Sequence, residues 1–124
     1  MIVCVGIDVC SIERMRKAIT RSGDRFAERI LSPRERTDFP KDVATFVAGR
    51  FAAKEAFSKC LDGARGVRWH DVEVLRAPSG RPIIELRDTA IDAMNAAGAD
   101  TCHVSITHDA GLAAAVVVLE RRNP

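Results

Sequence analysis

Two hydrophobic periods share this chain, one near two residues and one near three and a half. Met1 to Val9 (MIVCVGIDV) is a β-branched, almost wholly apolar run that predicts a buried strand, with Asp8 near the end where a turn begins. Ser11 then reads as an N-cap, with Glu13 in the first turn. From Ile12 to about Thr20 the spacing of Ile12, Met15 and Ile19 predicts an amphipathic helix, and Arg14, Lys17 and Arg21 fall on another side at i, i+3, i+7. Ser22-Gly23-Asp24 interrupts it, and Phe26 to Leu31 resumes helically on Phe26, Ile30 and Leu31. Ser32-Pro33-Arg34-Glu35 has the form of a restart, with N-cap, Pro at N1 and Glu at N3. Pro40 ends that turn, and Asp42 caps a long helix running to about Leu61.

The second half is shorter-pitched. Val72 to Leu75 alternates as a strand, Pro78-Ser79-Gly80 is a turn, and Pro82 to Leu86 is the return strand of a hairpin. Asp88 caps a helix from Thr89 to Ala97 that Gly98 terminates. Cys102 to Thr107 and Leu112 to Glu120 are two closing strands joined at His108-Asp109-Ala110-Gly111. His108 ends a strand beside a tight turn, while His70 lies in a polar loop exposed to solvent.

The stretch Phe46 to Leu61 (FVAGRFAAKEAFSKCL) is the strongest helix, with four alanines, three phenylalanines and no proline. Ala52, Ala53, Ala56, Cys60, Phe46, Phe57 and Leu61 make a wide apolar arc, which predicts burial. Yet the same helix carries Arg50, Lys54, Glu55 and Lys59, and charges on a buried helix are costly unless paired, ligand-bound or facing a cleft. Glu55 and Lys59 suit an ordinary i,i+4 pair, but Arg50 and Lys54 are a like-charged one that helix stability does not select. Three cations and one carboxylate fit either a solvated face or a site for an anionic ligand, with Glu55 available to a metal. Asp8 likewise either assists the Ser11 cap or serves a ligand. The loop Asp62-Gly63-Ala64-Arg65-Gly66 has the glycines for close backbone approach to a phosphate.

Composition narrows the class. The chain has 124 residues, 47% hydrophobic and 29% charged, which predicts one globular domain over residues 1–124. A net charge of +2, one Trp and no Tyr argue against a nucleic-acid partner, although basic residues outnumber acidic ones between Arg14 and Arg36. Cys4, Cys10, Cys60 and Cys102 form no CxxC pair and no zinc-type cluster, so buried reduced thiols and a cytoplasmic location are expected. No signal peptide or membrane-spanning run is evident, which predicts no membrane partner.

Three blocks then resemble the holo-acyl-carrier-protein synthase family of 4′-phosphopantetheinyl transferases. They are Gly6-Ile7-Asp8-Val9, the run Gly49 to Lys59 (GRFAAKEAFSK), and His103 to Asp109 (HVSITHD), with weaker echoes at Arg25 to Leu31 and Gly80-Arg81-Pro82. The resemblance spans nearly the whole chain. It implies an α+β fold of the 4′-phosphopantetheinyl transferase type, with a small, mainly antiparallel sheet packed against a long central helix.

The same resemblance implies a reaction and a site. Asp8 and Glu55 would hold Mg²⁺, or Mn²⁺, against the pyrophosphate of coenzyme A. Lys54 and Lys59 would sit near the phosphates, Arg50 would support the site or bind the nucleotide, and His108 would lie near the nucleotide phosphates. Gly80, Arg81 and Pro82 would lie near the adenosine end. A serine of apo acyl carrier protein would attack the β-phosphate and 3′,5′-ADP would leave, with either Glu55 or a metal-bound water as proton acceptor. Arg14, Lys17 and Arg21 would dock the acidic helix of the carrier protein. A homotrimer with interfacial active sites is implied as well. The sequence departs from the family pattern at Ser11, where an acidic residue is usual, at Cys60-Leu61-Asp62-Gly63, and in the short segment between Arg36 and Phe46. A non-catalytic carrier-protein or nucleotide-binding module, and a small nucleotide hydrolase, are the alternatives.

Overall fold

The computed structural model describes residues 1–37, 39–61 and 66–123. Strand β1 (Ile2–Ser11) leads into helices α1 (Ile12–Ser22) and α2 (Asp24–Ile30), and then into the central helix α3 (Val43–Cys60). A 3₁₀ turn (Trp69–Asp71) precedes the hairpin β2 (Val72–Arg76) and β3 (Pro82–Leu86). Helix α4 (Asp88–Ala96) and strands β4 (Thr101–Asp109) and β5 (Leu112–Glu120) complete the chain. The architecture is α+β, as expected. Strands β1, β5 and β4 form an antiparallel sheet in that order, and β2 and β3 form a second, two-stranded one.

Helix α3 is buried on nearly every side because different layers cover different faces. Ala52 and Ala53 cluster with Ala115 of β5 and Val74 of β2, while Phe46, Val47 and Ala48 cluster with Met15 of α1 and with Ile30 and Leu31. Small residues let the sheet come close. A Cβ placed on Gly6 would lie 2.0 Å from the Ala56 carbonyl oxygen, so β1 rests on α3 backbone to backbone there.

Local signals largely do what their chemistry requires. Ser11 Oγ accepts from the Arg14 amide at 3.2 Å, and Asp42 Oδ1 accepts from the Thr45 amide at 3.1 Å. Gly98, at φ +89°, follows the end of α4. Ala110 and Gly111, both at positive φ, form the two-residue turn between β4 and β5.

Four expectations need correction. Strand β1 runs on to Ser11, so Asp8 sits inside the strand opposite Ala115 rather than at a turn. The strand is also buried on one face only: Val5, Ile7 and Val9 point away from α3 and are 60%, 62% and 55% exposed. Asp88 does not cap α4. The cap comes from Asp71, whose carboxylate accepts from the Thr89 amide at 3.1 Å and from the Thr89 hydroxyl. Finally, Ser32 and Glu35 exchange both bonds of a capping box, at 2.9 and 3.3 Å, yet residues 33–37 form turns rather than a helix. Glu35 is drawn inward to Lys54 instead.

Candidate active site

The close approach at Gly6 decides where Asp8 goes. Residues 6 and 8 share the strand face turned to α3, and Asp8 reaches the last turn of that helix. There Lys59 Nζ donates to Asp8 Oδ1 at 2.8 Å, with the lysine largely exposed and the aspartate mostly covered. Glu55 stands one helical turn before Lys59, on the same side of α3. Its carboxyl is pushed above the usual carboxylate range, first by burial and second by the charge of Asp8, with Lys59 pulling the other way. Three residues of two separate sequence blocks thus meet: Asp8, Glu55 and Lys59.

Two mutually repelling carboxylates, both partly covered, form a hard oxygen donor set suited to a divalent cation. Among the described residues no group of three or more His, Cys, Asp or Glu side chains is placed to hold a metal ion. Such a pair suits Mg²⁺, which keeps waters and takes substrate phosphate oxygens as its remaining ligands. Asp8 and Glu55 therefore fit the ion.

Lys54 faces elsewhere. Its ammonium donates to Glu35 Oε1 at 2.7 Å, to the Trp69 carbonyl at 2.9 Å and to the Val72 carbonyl. All three N–H donors are thereby used inside the protein, leaving none for a phosphate in this arrangement.

Arg50 belongs to a second cluster. It lies five residues before Glu55, about 7.5 Å along the helix axis. Its guanidinium lies 4.0 Å from the Phe46 ring centroid, and its buried Nε has no hydrogen-bond partner among the described residues. Burial, and next the charge of Arg76, lower its pKa to about 10. Arg50, Arg76 and His108 line one cleft of about 300 Å³, whose walls do not include Asp8, Glu55 or Lys59. A buried cation with an unpartnered Nε beside a second cation has the chemistry to take an anionic ligand. Arg76 was missed in the sequence. Its strand carries no motif, and only the fold sets it beside Arg50.

Gly80 and Arg81 are exposed at the tip of the β2–β3 hairpin, and Pro82 pairs with Arg76 across it. Arg14, Lys17 and Arg21 are exposed along one groove of about 480 Å³, floored by Val9, Met15, Phe26 and Phe51. Among the described residues none of the three cations is in an ion pair. His70 is not free: its Nε2 lies 2.7 Å from the Glu28 carbonyl oxygen, which only accepts, so Nε2 carries the proton. Of the expected phosphate loop, residues 62–65 lie outside the described residues.

A family model described as the 4′-phosphopantetheinyl transferase superfamily matches residues 4–117. The chain belongs to that superfamily. It is 48% identical over 122 residues to the holo-[acyl-carrier-protein] synthase of Solidesulfovibrio magneticus, covering 97% of this chain and 99% of that one. With the synthase of Beutenbergia cavernae it shares 45% identity over 121 residues, covering 98% and 100%. Among solved structures it resembles the Helicobacter pylori synthase in complex with coenzyme A, with a TM-score of 0.81 and 38% identity over 94% of this chain and 99% of that one. The Bacillus anthracis synthase, in complex with coenzyme A (3′,5′-ADP), has a TM-score of 0.76 and 36% identity over 98% of each chain. The chain is an enzyme of this synthase type, and the α+β fold matches theirs.

Proposed function

We propose that this chain, as one domain over residues 1–124, transfers 4′-phosphopantetheine from coenzyme A to a serine of apo acyl carrier protein, releasing 3′,5′-ADP in a Mg²⁺-dependent reaction. The observation that carries this reading is the convergence of Asp8, Glu55 and Lys59 on one open face of α3. Asp8 and Glu55 would hold a divalent cation, which would supply charge neutralisation to the pyrophosphate when bound. Lys59 adds a flexible point charge for the oxygens that gain negative charge as the bond to the leaving group breaks. The serine oxygen forms the new bond to the β-phosphorus, and the bridging P–O bond breaks so that 3′,5′-ADP departs. The serine proton passes to Glu55 or to a water beside it.

The cleft of Arg50, Arg76 and His108 is the nucleotide phosphate site in this reading, and the Gly80-Arg81-Pro82 tip serves the adenosine end. The groove carrying Arg14, Lys17 and Arg21 receives an acidic helix of the carrier protein. A homotrimer is supported by the outward face of the three-stranded sheet. Val5, Ile7, Val9 and Leu112 are exposed there, forming an apolar surface that a second copy would cover. Association would also supply one chain's Arg50 cleft to another chain's Asp8 and Glu55, two features that stay separate within a single chain. Among the described residues no helix is long and apolar enough to cross a membrane.

Intact-mass measurement of apo acyl carrier protein with coenzyme A, Mg²⁺ and this chain tests the reading. A gain of one phosphopantetheine that disappears without metal is the expected result. Hydrolysis of coenzyme A without modification of the carrier protein would replace the transferase by a nucleotide hydrolase.

A further inference from the structure

Lys54 is a cation with a side chain only 1% exposed. Two of its three acceptors are the carbonyls of Trp69, which opens the 3₁₀ turn Trp69–Asp71, and of Val72, which follows that turn as the first residue of β2, so one side chain of α3 holds the turn from both sides. The third acceptor, Glu35, is itself fixed by the backbone amides of Ser32 and Val74, each at 2.9 Å. The gripped turn carries the Trp69 ring, which lies on Phe51 with centroids 5.6 Å apart and planes at 21°. Trp69, Val67 and Phe57 wall a cleft of about 190 Å³ that Glu55 also lines. Phe51 in turn floors the groove of Arg14, Lys17 and Arg21, with Phe26 6.4 Å away.

Stability does not explain such a pair, because desolvating two charges offsets most of their attraction. Position does. A linear apolar side chain of similar volume would fill the same space but leave both carbonyls unheld, and the ring with them. Residues 54 and 55 are successive on one rigid helix, so the grip on the turn and the Glu55 carboxylate are fixed relative to each other.

We propose that Lys54 is a positioning residue: through the Trp69 and Val72 carbonyls it sets the Trp69 ring in the wall between the Phe51 groove and the Glu55 cleft, and thereby aligns the incoming carrier-protein serine with Glu55. The alignment of the serine rests on the transferase reading above, whereas the hold on Trp69 does not.

Trp69 is the only tryptophan, so its emission reports the hold directly. Lys54→Met combined with Glu35→Gln removes both charges at nearly constant volume, and the glutamine oxygen still accepts from an amide of Ser32 or Val74. The expected result is cooperative unfolding, acrylamide quenching of Trp69 at least doubled, and kcat/KM for carrier protein lowered at least tenfold through kcat. The KM for coenzyme A should stay within twofold. Trp69→Leu keeps the backbone carbonyls and the Lys54 contacts, and should show the same fall in kcat with carrier protein. A folded double variant with wild-type quenching and kinetics overturns the proposal, as does Trp69→Leu with wild-type kinetics. If the double variant does not unfold cooperatively, Trp69→Leu alone decides. Should the wild-type chain modify no carrier protein, the transferase reading fails by itself, and the quenching comparison still judges the hold on Trp69.

Discussion

Lys59 Nζ lies 2.8 Å from Asp8 Oδ1, a contact that ties the last turn of α3 to the interior of the edge strand β1. With Lys59 56% exposed, the pair contributes at most about 1 kcal/mol to stability and less at high salt. Its consequence is geometric. It fixes a carboxylate beside Glu55, and burial first, then the charge of Asp8, raise the cost of ionising Glu55 in the folded chain.

Glu55→Gln should therefore separate activity from stability. The folded pKa of Glu55 lies above its reference value of 4.5, so ionised Glu55 opposes folding. That cost is absent below pH 4.5 and appears as pH rises through the folded pKa. Without divalent metal, Glu55→Gln should melt at or above the wild-type temperature at pH 7, with the difference vanishing below pH 4.5, while transfer falls at least about 100-fold. Thermal melts across pH and the intact-mass assay check both halves. Retained transfer removes Glu55 from the site.

Gly6→Ala tests how the packing builds the site. Its Cβ would meet the Ala56 carbonyl oxygen at 2.0 Å, and that atom is backbone, so the strand has to move. A loss of about 1–3 kcal/mol is expected from urea unfolding. Transfer should fall by more than that loss accounts for, because Asp8 lies two residues along the same face. A variant as stable and active as wild type would show that the site does not depend on this approach.

The parts of the fold legible in the sequence are those whose chemistry is local. Asp42 and Ser11 cap their helices through side chains reaching three residues ahead, and a capping preference encodes that reach. The motif blocks containing Asp8, Glu55 and Lys59 also carried enough pattern to expect their meeting. What stayed hidden depends on partners far along the chain. Asp71 caps α4 from 18 positions away, and Lys54 is neutralised by Glu35 from 19 positions away. Helical spacing alone gives Lys54 and Arg50 the same status, and only the tertiary partners assign one to a buried pair and the other to a cleft. The exposure of Val5, Ile7 and Val9 was equally unreadable. A strand apolar on both faces states that two layers are wanted, not whether the second belongs to the same chain.

Asp100 predicts an acid-sensitive C-terminal end. Its carboxylate accepts from the amides of Arg122 and Asn123 at 3.0 and 2.9 Å and from the Thr101 hydroxyl at 2.8 Å. The first two bonds, in that order, lead in lowering its pKa from 3.8 to about 2. A lowered folded pKa contributes stability that is full above the unfolded value and lost as pH falls through the folded one. The tail should hence loosen between about pH 4 and pH 2. Relative to the intrinsic rate at each pH, amide hydrogen exchange at Arg122 and Asn123 should accelerate across that window in the wild type. In Asp100→Asn it should be fast throughout, and equal protection at both ends of the window would discount these bonds.

The ridge on α1 makes a prediction about binding that differs in kind from the others. Arg14, Lys17 and Arg21 line an open groove whose floor is apolar, so charge steers a partner in and Phe26 and Phe51 bury part of it. Among the described residues no carboxylate pairs with these cations, so their full charge faces an incoming acidic helix. Arg14→Glu with Arg21→Glu should raise the carrier-protein KM at least about tenfold at low salt, with kcat and the coenzyme A KM nearly unchanged. The defect should shrink as ionic strength rises toward 0.5 M, because the Debye length then falls below about 5 Å. Both residues are exposed, so thermal stability should stay close to wild type. A carrier-protein KM unchanged at low salt would remove the ridge from recognition, and a defect equal at low and high salt would mean the groove acts by shape rather than by charge.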